Sequence, residues 1–146
     1  MKMSTKGRYG LRIMMELASR YGRGPVLVAD IANGQKISGK YIHVLITNLK
    51  TSGLVRAVRG PNGGYELARD PSRITVLEVI SALEGRSAPV ECVVDTSSCP
   101  RADHCAVRDI WCDVASAIDG VLASRTLKQL ASSERAKQDK AINYNI

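Results

Sequence analysis

Every cysteine of this 146-residue chain lies in the stretch 92–112, as Cys92, Cys99, Cys105 and Cys112. The first three stand at C-x6-C-x5-C spacing in a polar segment that also holds Asp95, Asp103 and His104. Thiolates gathered this way can ligate an iron–sulfur cluster, because a loop can wrap its small inorganic core. With His104 they could instead fill the tetrahedron of a zinc ion, although the close C-x2-C knuckle of structural zinc sites is absent. A third chemistry is reversible thiol oxidation. Cys112 stands apart from these. Seven residues beyond Cys105 on a helix is about 10 Å along the axis, so it reads as a small buried helix residue beside Trp111. The pair His104–Cys105 is also the sole candidate for a nucleophile with its base. No oxyanion-hole or cofactor motif accompanies it, so the chain is not expected to be an enzyme.

What must position these thiols is the segment that follows them. From Ala106 to about Ser124 the sequence predicts a helix of about five turns, striped by Val107, Ile110, Trp111, Val114, Ile118, Val121 and Leu122. That is more apolar surface than one small domain covers, so these residues are expected to form a dimer interface. Upstream, Thr75 and Glu78 form a capping box for a helix closed by Gly85. Downstream, Thr126 and Gln129 form another, opening a short helix to about Ala131. The tail 132–146 is polar and aperiodic and is expected to be disordered.

Charge divides the chain. Residues 1–73 hold 13 Lys and Arg against 4 Asp and Glu, whereas residues 74–146 hold 8 against 10. A basic half joined to a slightly acidic, cysteine-bearing half fits a polyanion-binding module attached to something that does not touch the polyanion. No apolar run approaches the roughly 18 residues of a membrane span. The basic start Met1-Lys2-Met3-Ser4 is not followed by a secretory apolar stretch, so a cytoplasmic protein without membrane contact is expected.

The basic half has a recognisable order. Residues 5–21 predict an amphipathic helix with Tyr9, Ile13, Leu17 and Tyr21 on one face and Met14 and Ala18 alongside. Gly22 and Gly24-Pro25 stop it, Val26–Val28 is a strand-like run, and residues 30–35 form a brief helix. Ser38 caps a third helix of about 13 residues with Ile42, Leu45, Ile46 and Leu49 inside. Lys40, His43, Thr47 and Lys50 fall on its outer face. Two short helices joined by a turn make a helix-turn-helix pattern. Residues 54–59 then alternate as a strand, Gly60-Pro61-Asn62-Gly63-Gly64 is turn chemistry, and residues 65–68 alternate back, which is a strong hairpin signal. The pattern predicts a mainly α winged helix with a small β-wing, spanning 1–85. A cysteine loop at 86–105 and a long C-terminal helix within 106–131 follow. Ser38, Lys40 and Tyr41 at the recognition helix N-terminus should do most of the base reading, with His43 and Lys50 beside them. Arg56 and Arg59 project from the wing. Arg59, next to the tip formed by Gly60, Pro61, Asn62 and Gly63, is placed to enter a minor groove or grip phosphates.

These strings resemble a known family. The opening Ser4-Thr5-Lys6-Gly7-Arg8-Tyr9, the wing Val58–Leu67, the run Val76-Leu77-Glu78-Val79-Ile80 and the three-cysteine loop before a Trp-bearing helix are similar to Rrf2 winged-helix regulators. The iron–sulfur members of that family include the IscR and NsrR types. The resemblance covers residues 1 to about 131. It implies a homodimeric transcriptional repressor that crosses its long helices and binds a partly palindromic double-stranded operator. It also implies a cluster, usually 2Fe–2S and in NsrR types 4Fe–4S, held by three cysteines, here Cys92, Cys99 and Cys105, and a variable fourth ligand; by its place beside Cys105, His104 is the candidate. The chain departs from the pattern in three places. His43 stands where the family's recognition helix often has Glu, Arg108 where IscR types carry a ligating His, and Arg8 where NsrR types carry a ligating Asp. Asp103, Asp109, a residue of a second subunit or a small exogenous thiol stay open as the fourth donor.

Overall fold

The structure, a computed structural model, describes residues 2–86 and 88–145. Met1, Ser87 in the predicted cysteine loop and Ile146 in the predicted tail lie outside the described residues. The elements are α1 (Thr5–Ser19), α2 (Val28–Gln35), α3 (Gly39–Thr51), β1 (Val55–Val58), β2 (Gly64–Leu67), α4 (Val76–Glu84), α5 (Glu91–Val94), α6 (Ala106–Ala123) and α7 (Leu127–Tyr144).

Three helices, α1, α3 and α4, start at a side-chain cap. Ser4 caps α1 by accepting from the Lys6 and Gly7 amides, and Ser38 caps α3 by accepting from the Tyr41 amide at 3.3 Å. Both hydroxyls satisfy donors that a helix start would otherwise leave unpaired. The capping box of α4 is formed in both directions between Thr75 and Glu78. Burial should draw the Glu78 carboxyl upward, but hydrogen bonds from the Thr75 amide and hydroxyl, with Arg69 alongside, hold it below its ordinary value.

The inner faces close on one apolar core. Ile13, Met14 and Leu17 of α1, Ile31 of α2, Ile42, Leu45, Ile46 and Leu49 of α3, and Val79 and Leu83 of α4 are all buried. No polar or charged residue is buried among the described residues. Two glycines of α1 permit its approach to α4. A Cβ at Gly10 would lie 2.0 Å from Leu83 Cδ1, and one at Gly7 would lie 2.6 Å from a Glu84 oxygen.

Several expectations change. Helix α1 ends at Ser19, which leaves Tyr21 exposed beyond the stripe. In the run 26–28 only Val26 pairs, exchanging both backbone hydrogen bonds with Tyr65, while Val28 already begins α2. The largest correction is at the C-terminus. The predicted short helix to Ala131 and disordered tail are one helix, α7, continuous to Tyr144. Its Thr126–Gln129 capping box nucleates it, and residues 127–145 contain no Gly or Pro to stop it. Lys, Gln, Ala, Glu and Arg dominate the segment, and such residues favour helix without a buried face. Only Leu127 is buried, so periodicity had nothing to register. Through Leu127 the chain also returns to the first domain. Thr126 bridges Thr75, the Leu127 amide donates to Ile74 at 2.9 Å, and α7 then packs on α1.

Candidate nucleic-acid interface and cysteine loop

The wing follows from glycine at two positions. Strands β1 and β2 pair antiparallel with Val55 opposite Leu67 and Val58 opposite Gly64. A Cβ at Gly63 would sit 2.3 Å from the Val58 carbonyl oxygen, and one at Gly64 would sit 2.5 Å from that of Val26. Nothing larger than glycine passes there, so the tip Gly60–Gly63 projects as a tight turn closed by the Gly63 amide on the Gly60 carbonyl at 3.0 Å.

The two arginines of the wing differ. Arg56 is opposite Glu66 across the ladder and both its Nε and an Nη lie 2.7 Å from one Glu66 oxygen. Arg59 is exposed and makes no ion pair among the described residues. The freer cation is therefore the one beside the tip.

On α3, Lys40, His43 and Lys50 are exposed as the spacing predicts, and Ser38 is exposed while its hydroxyl serves as the cap. Tyr41 is half-buried, its ring edge-on to Tyr9 at 6.2 Å between centroids. The Arg8 and Arg12 guanidiniums lie over that Tyr9 ring. Tyr41 thus seats the start of the recognition helix against α1. His43 lies 6.4 Å from the Tyr65 ring, which joins the recognition helix to the base of the wing. Sequence reasoning missed Val44, which is 53% exposed between His43 and Thr47. An apolar side chain left out on this face can meet a thymine methyl. The signal was available, since Lys40, His43, Val44 and Thr47 share one helical stripe.

The cysteine loop is a chain of separate small turns. Cys92 lies in α5, Cys99 follows a 3-10 turn over Thr96–Ser98, and Cys105 is the N-cap residue of α6 after a second turn over Ala102–His104. Asp95 fastens the first turn by accepting from the Ser97 hydroxyl and amide, which hold its carboxyl below the ordinary carboxylate range. Arg108 fastens the loop to α6, its Nε donating to the Cys92 carbonyl at 2.8 Å. Ala102 is the buried anchor. All four cysteines are free and half-buried, and His104 is exposed.

The structure thus places the three loop thiols on one segment without bringing them to a point. Among the described residues no three His, Cys, Asp or Glu side chains converge to hold a metal ion. The donor set suits an iron–sulfur or zinc centre in kind, but as folded here it does not fit one in place. Each turn closes on its own hydrogen bonds, and assembling a site would need those turns to shift.

Helix α6 carries no buried residue. Val107, Ile110, Ile118 and Val121 are 62%, 59%, 36% and 65% exposed, and Trp111, Val114, Leu122 and Cys112 are half-buried. The bland assignment of Cys112 to a buried helix position is corrected to this half-covered one. One side of α6 leans on α4 and α5, leaving most of the stripe uncovered.

Comparison with known proteins agrees with this architecture. The Rrf2 family, described as "Iron-dependent Transcriptional regulator", matches residues 3–133. The chain is 40% identical over 144 residues to the HTH-type transcriptional regulator CymR of Bacillus subtilis, covering 99% of each. Among solved structures it is similar to CymR, "the Global Cysteine Regulator of B. subtilis", at a TM-score of 0.76 and 41% identity, covering 91% of this chain and 98% of that one. It is similar to T. potens IscR at a TM-score of 0.78 and 36% identity, with 94% and 91% covered.

Proposed function

The chain belongs to the Rrf2 family of transcriptional regulators, and within it we propose a homodimeric operator-binding repressor governed by the thiols of the 86–105 loop. The observation that carries DNA binding is the outward face of α3, bearing Lys40, His43 and Lys50, set beside a wing whose unpaired Arg59 flanks the tip. Two such units bind a partly palindromic duplex when their recognition helices stand about one helical turn of DNA apart. The uncovered stripe Val107–Leu122 of α6 supplies the dimer contact, because burying it against a second copy removes apolar surface from water at about 25 cal/mol per Å².

Cys92, Cys99 and Cys105 are the sensor. As a ligated state, the donor types favour an iron–sulfur cluster of 2Fe–2S type, with His104 as the candidate fourth ligand. Arg108 and Cys105 join the loop to α6, so any movement of its turns passes directly to that helix and to the spacing of the recognition helices. A second reading has its own support. Three free thiols that do not converge among the described residues, in a relative of a protein described as the global cysteine regulator of B. subtilis, suit sensing by thiol oxidation without any metal.

The test is anaerobic purification followed by an absorption spectrum with iron and sulfide counts, then operator titration at fixed salt before and after oxidation. Coloured protein with about two irons and two sulfides per chain is expected for the cluster reading. Iron-free, colourless protein whose affinity still responds to oxidation moves the assignment to the thiols alone. Equal affinity in every state removes the sensor.

A further inference from the structure

The route from the sensor loop to the DNA-binding domain need not run through α6 alone. Glu84 is the last residue of α4, and Gly85, at a φ of +73°, turns the chain into the cysteine loop directly after it. A carboxylate at a helix C-terminus opposes that helix's own dipole. Its placement makes sense only across the packing contact. Glu84 Oε1 accepts from the Gly7 amide at 2.8 Å and from the Ser4 hydroxyl, so it caps the positive end of α1. A Cβ at Gly7 would meet Met3 Sδ at 2.5 Å and the Glu84 carboxylate at 2.6 Å.

A cavity lies between the same two regions. Met3, immediately before the Ser4 cap, lines a cavity of about 210 Å³ with Leu77 and Ile80 of α4, Val93 and Val94 of α5, and Ile118 of α6. Cys92 precedes Val93 directly. The start of α1 is therefore bonded to one end of the segment 84–94 and faces the other end across this cavity. From that start, exposed Lys2, Lys6 and Arg8 extend outward, and Tyr9 holds Tyr41 of the recognition helix.

We propose that Glu84 is a positioning residue, a carboxylate clasp that couples the entrance of the cysteine loop to the N-terminus of α1. A shift of the loop pulls on Glu84 through Gly85. That pull tilts α1, and α1 carries the recognition helix through the Tyr9–Tyr41 contact. This inference rests on the loop being the sensor.

The test uses full-length protein in a Cys112→Ser background and a genomic fragment enriched by the wild-type chain. Affinity is titrated at fixed salt with thiols reduced and after alkylation by N-ethylmaleimide. The parent is expected to respond by about tenfold and Glu84→Ala by less than about twofold. Glu84→Gln, which still accepts both hydrogen bonds, should restore the response, and thermal melting checks that each variant is folded. Ser4→Ala, losing one donor, gives an intermediate response if Glu84→Ala proves unstable. A full response in Glu84→Ala, or no rescue by Glu84→Gln, overturns the clasp while leaving the loop as sensor. No response in the parent overturns the sensor reading and the clasp with it.

Discussion

The winged-helix half and the cysteine-bearing half of this chain are finished to different degrees. In the first, α1, α3 and α4 each start at a side-chain cap and bury an apolar face in a common core without one buried polar or charged residue among the described residues. In the second, α6 buries no residue, and the loop before it is a series of turns anchored at Ala102 and by Arg108. A helix with an apolar stripe left in water is stable only when something covers it. The first half is a complete fold; the second has the chemistry of a part awaiting partners, a second copy on α6 and an event at the thiols.

The sharpest way to break that contrast is to cut equally into both. Leu45 is fully buried in the core, so Leu45→Ala should lower unfolding stability by about 2–5 kcal/mol in urea titrations. Val121 is 65% exposed, so Val121→Asp should change the stability of dilute monomer by less than about 0.5 kcal/mol. In sedimentation or light scattering the same Val121→Asp change should weaken association by tenfold or more, about 1.4 kcal/mol. Equal losses of stability from the two variants would mean that α6 is not an open face.

Within the basic half the same logic separates the two wing arginines. Arg59→Ala should cost about 1–3 kcal/mol of operator binding if it reads the groove, or lower the salt slope by about one if it holds a phosphate. Arg56 already spends its charge on Glu66, so Arg56→Ala should cost less in the same anisotropy titration.

What the sequence revealed follows this division. The caps at Ser38 and Thr75, the buried stripe of α3 and the Gly-rich wing are local signals, and each appears where the residues place it. Long-range facts were not legible. Nothing local shows that Gly10 must clear Leu83, that Arg56 meets Glu66, or that Glu84 caps a helix begun 80 residues earlier. The extension of α7 beyond Ala131 is illegible for another reason. Helix formed by propensity alone carries no hydrophobic period, and its polar composition is also that of a disordered tail. The thiols were legible as a cluster of residues, whereas their separate turns depend on loop hydrogen bonds that no spacing reports.

A smaller effect tests how the two halves are stitched together. Thr75 caps α4 while its backbone bridges Thr126 at the start of α7, so Thr75→Ala should cost about 1 kcal/mol for the lost cap. Its partner Glu78 has a carboxyl lowered from 4.5 in the fold. The unfolded chain therefore binds a proton more readily than the native one. The stabilisation is present above about pH 4.5 and fades as pH falls through the lower folded value. Glu78→Gln should flatten that part of the acid limb in urea titrations, and an unchanged limb would show that the capping box carries no acid sensitivity.

The weakest expected effect is at the far end of α7. Residues 132–144 are exposed throughout, and only Leu127, Leu130 and Ala131 of this helix are even partly covered. Truncation after Ala131 should thus leave the unfolding free energy from urea titration nearly unchanged, within about 0.5 kcal/mol. The same truncation should remove helix from the far-ultraviolet spectrum in proportion to the residues lost. Helix held by propensity alone is marginal at this length, so that helical signal should also melt well below the global transition. A single shared transition would mean that α7 is covered along its length by a partner, and would extend the open surface of this chain from α6 to its last helix.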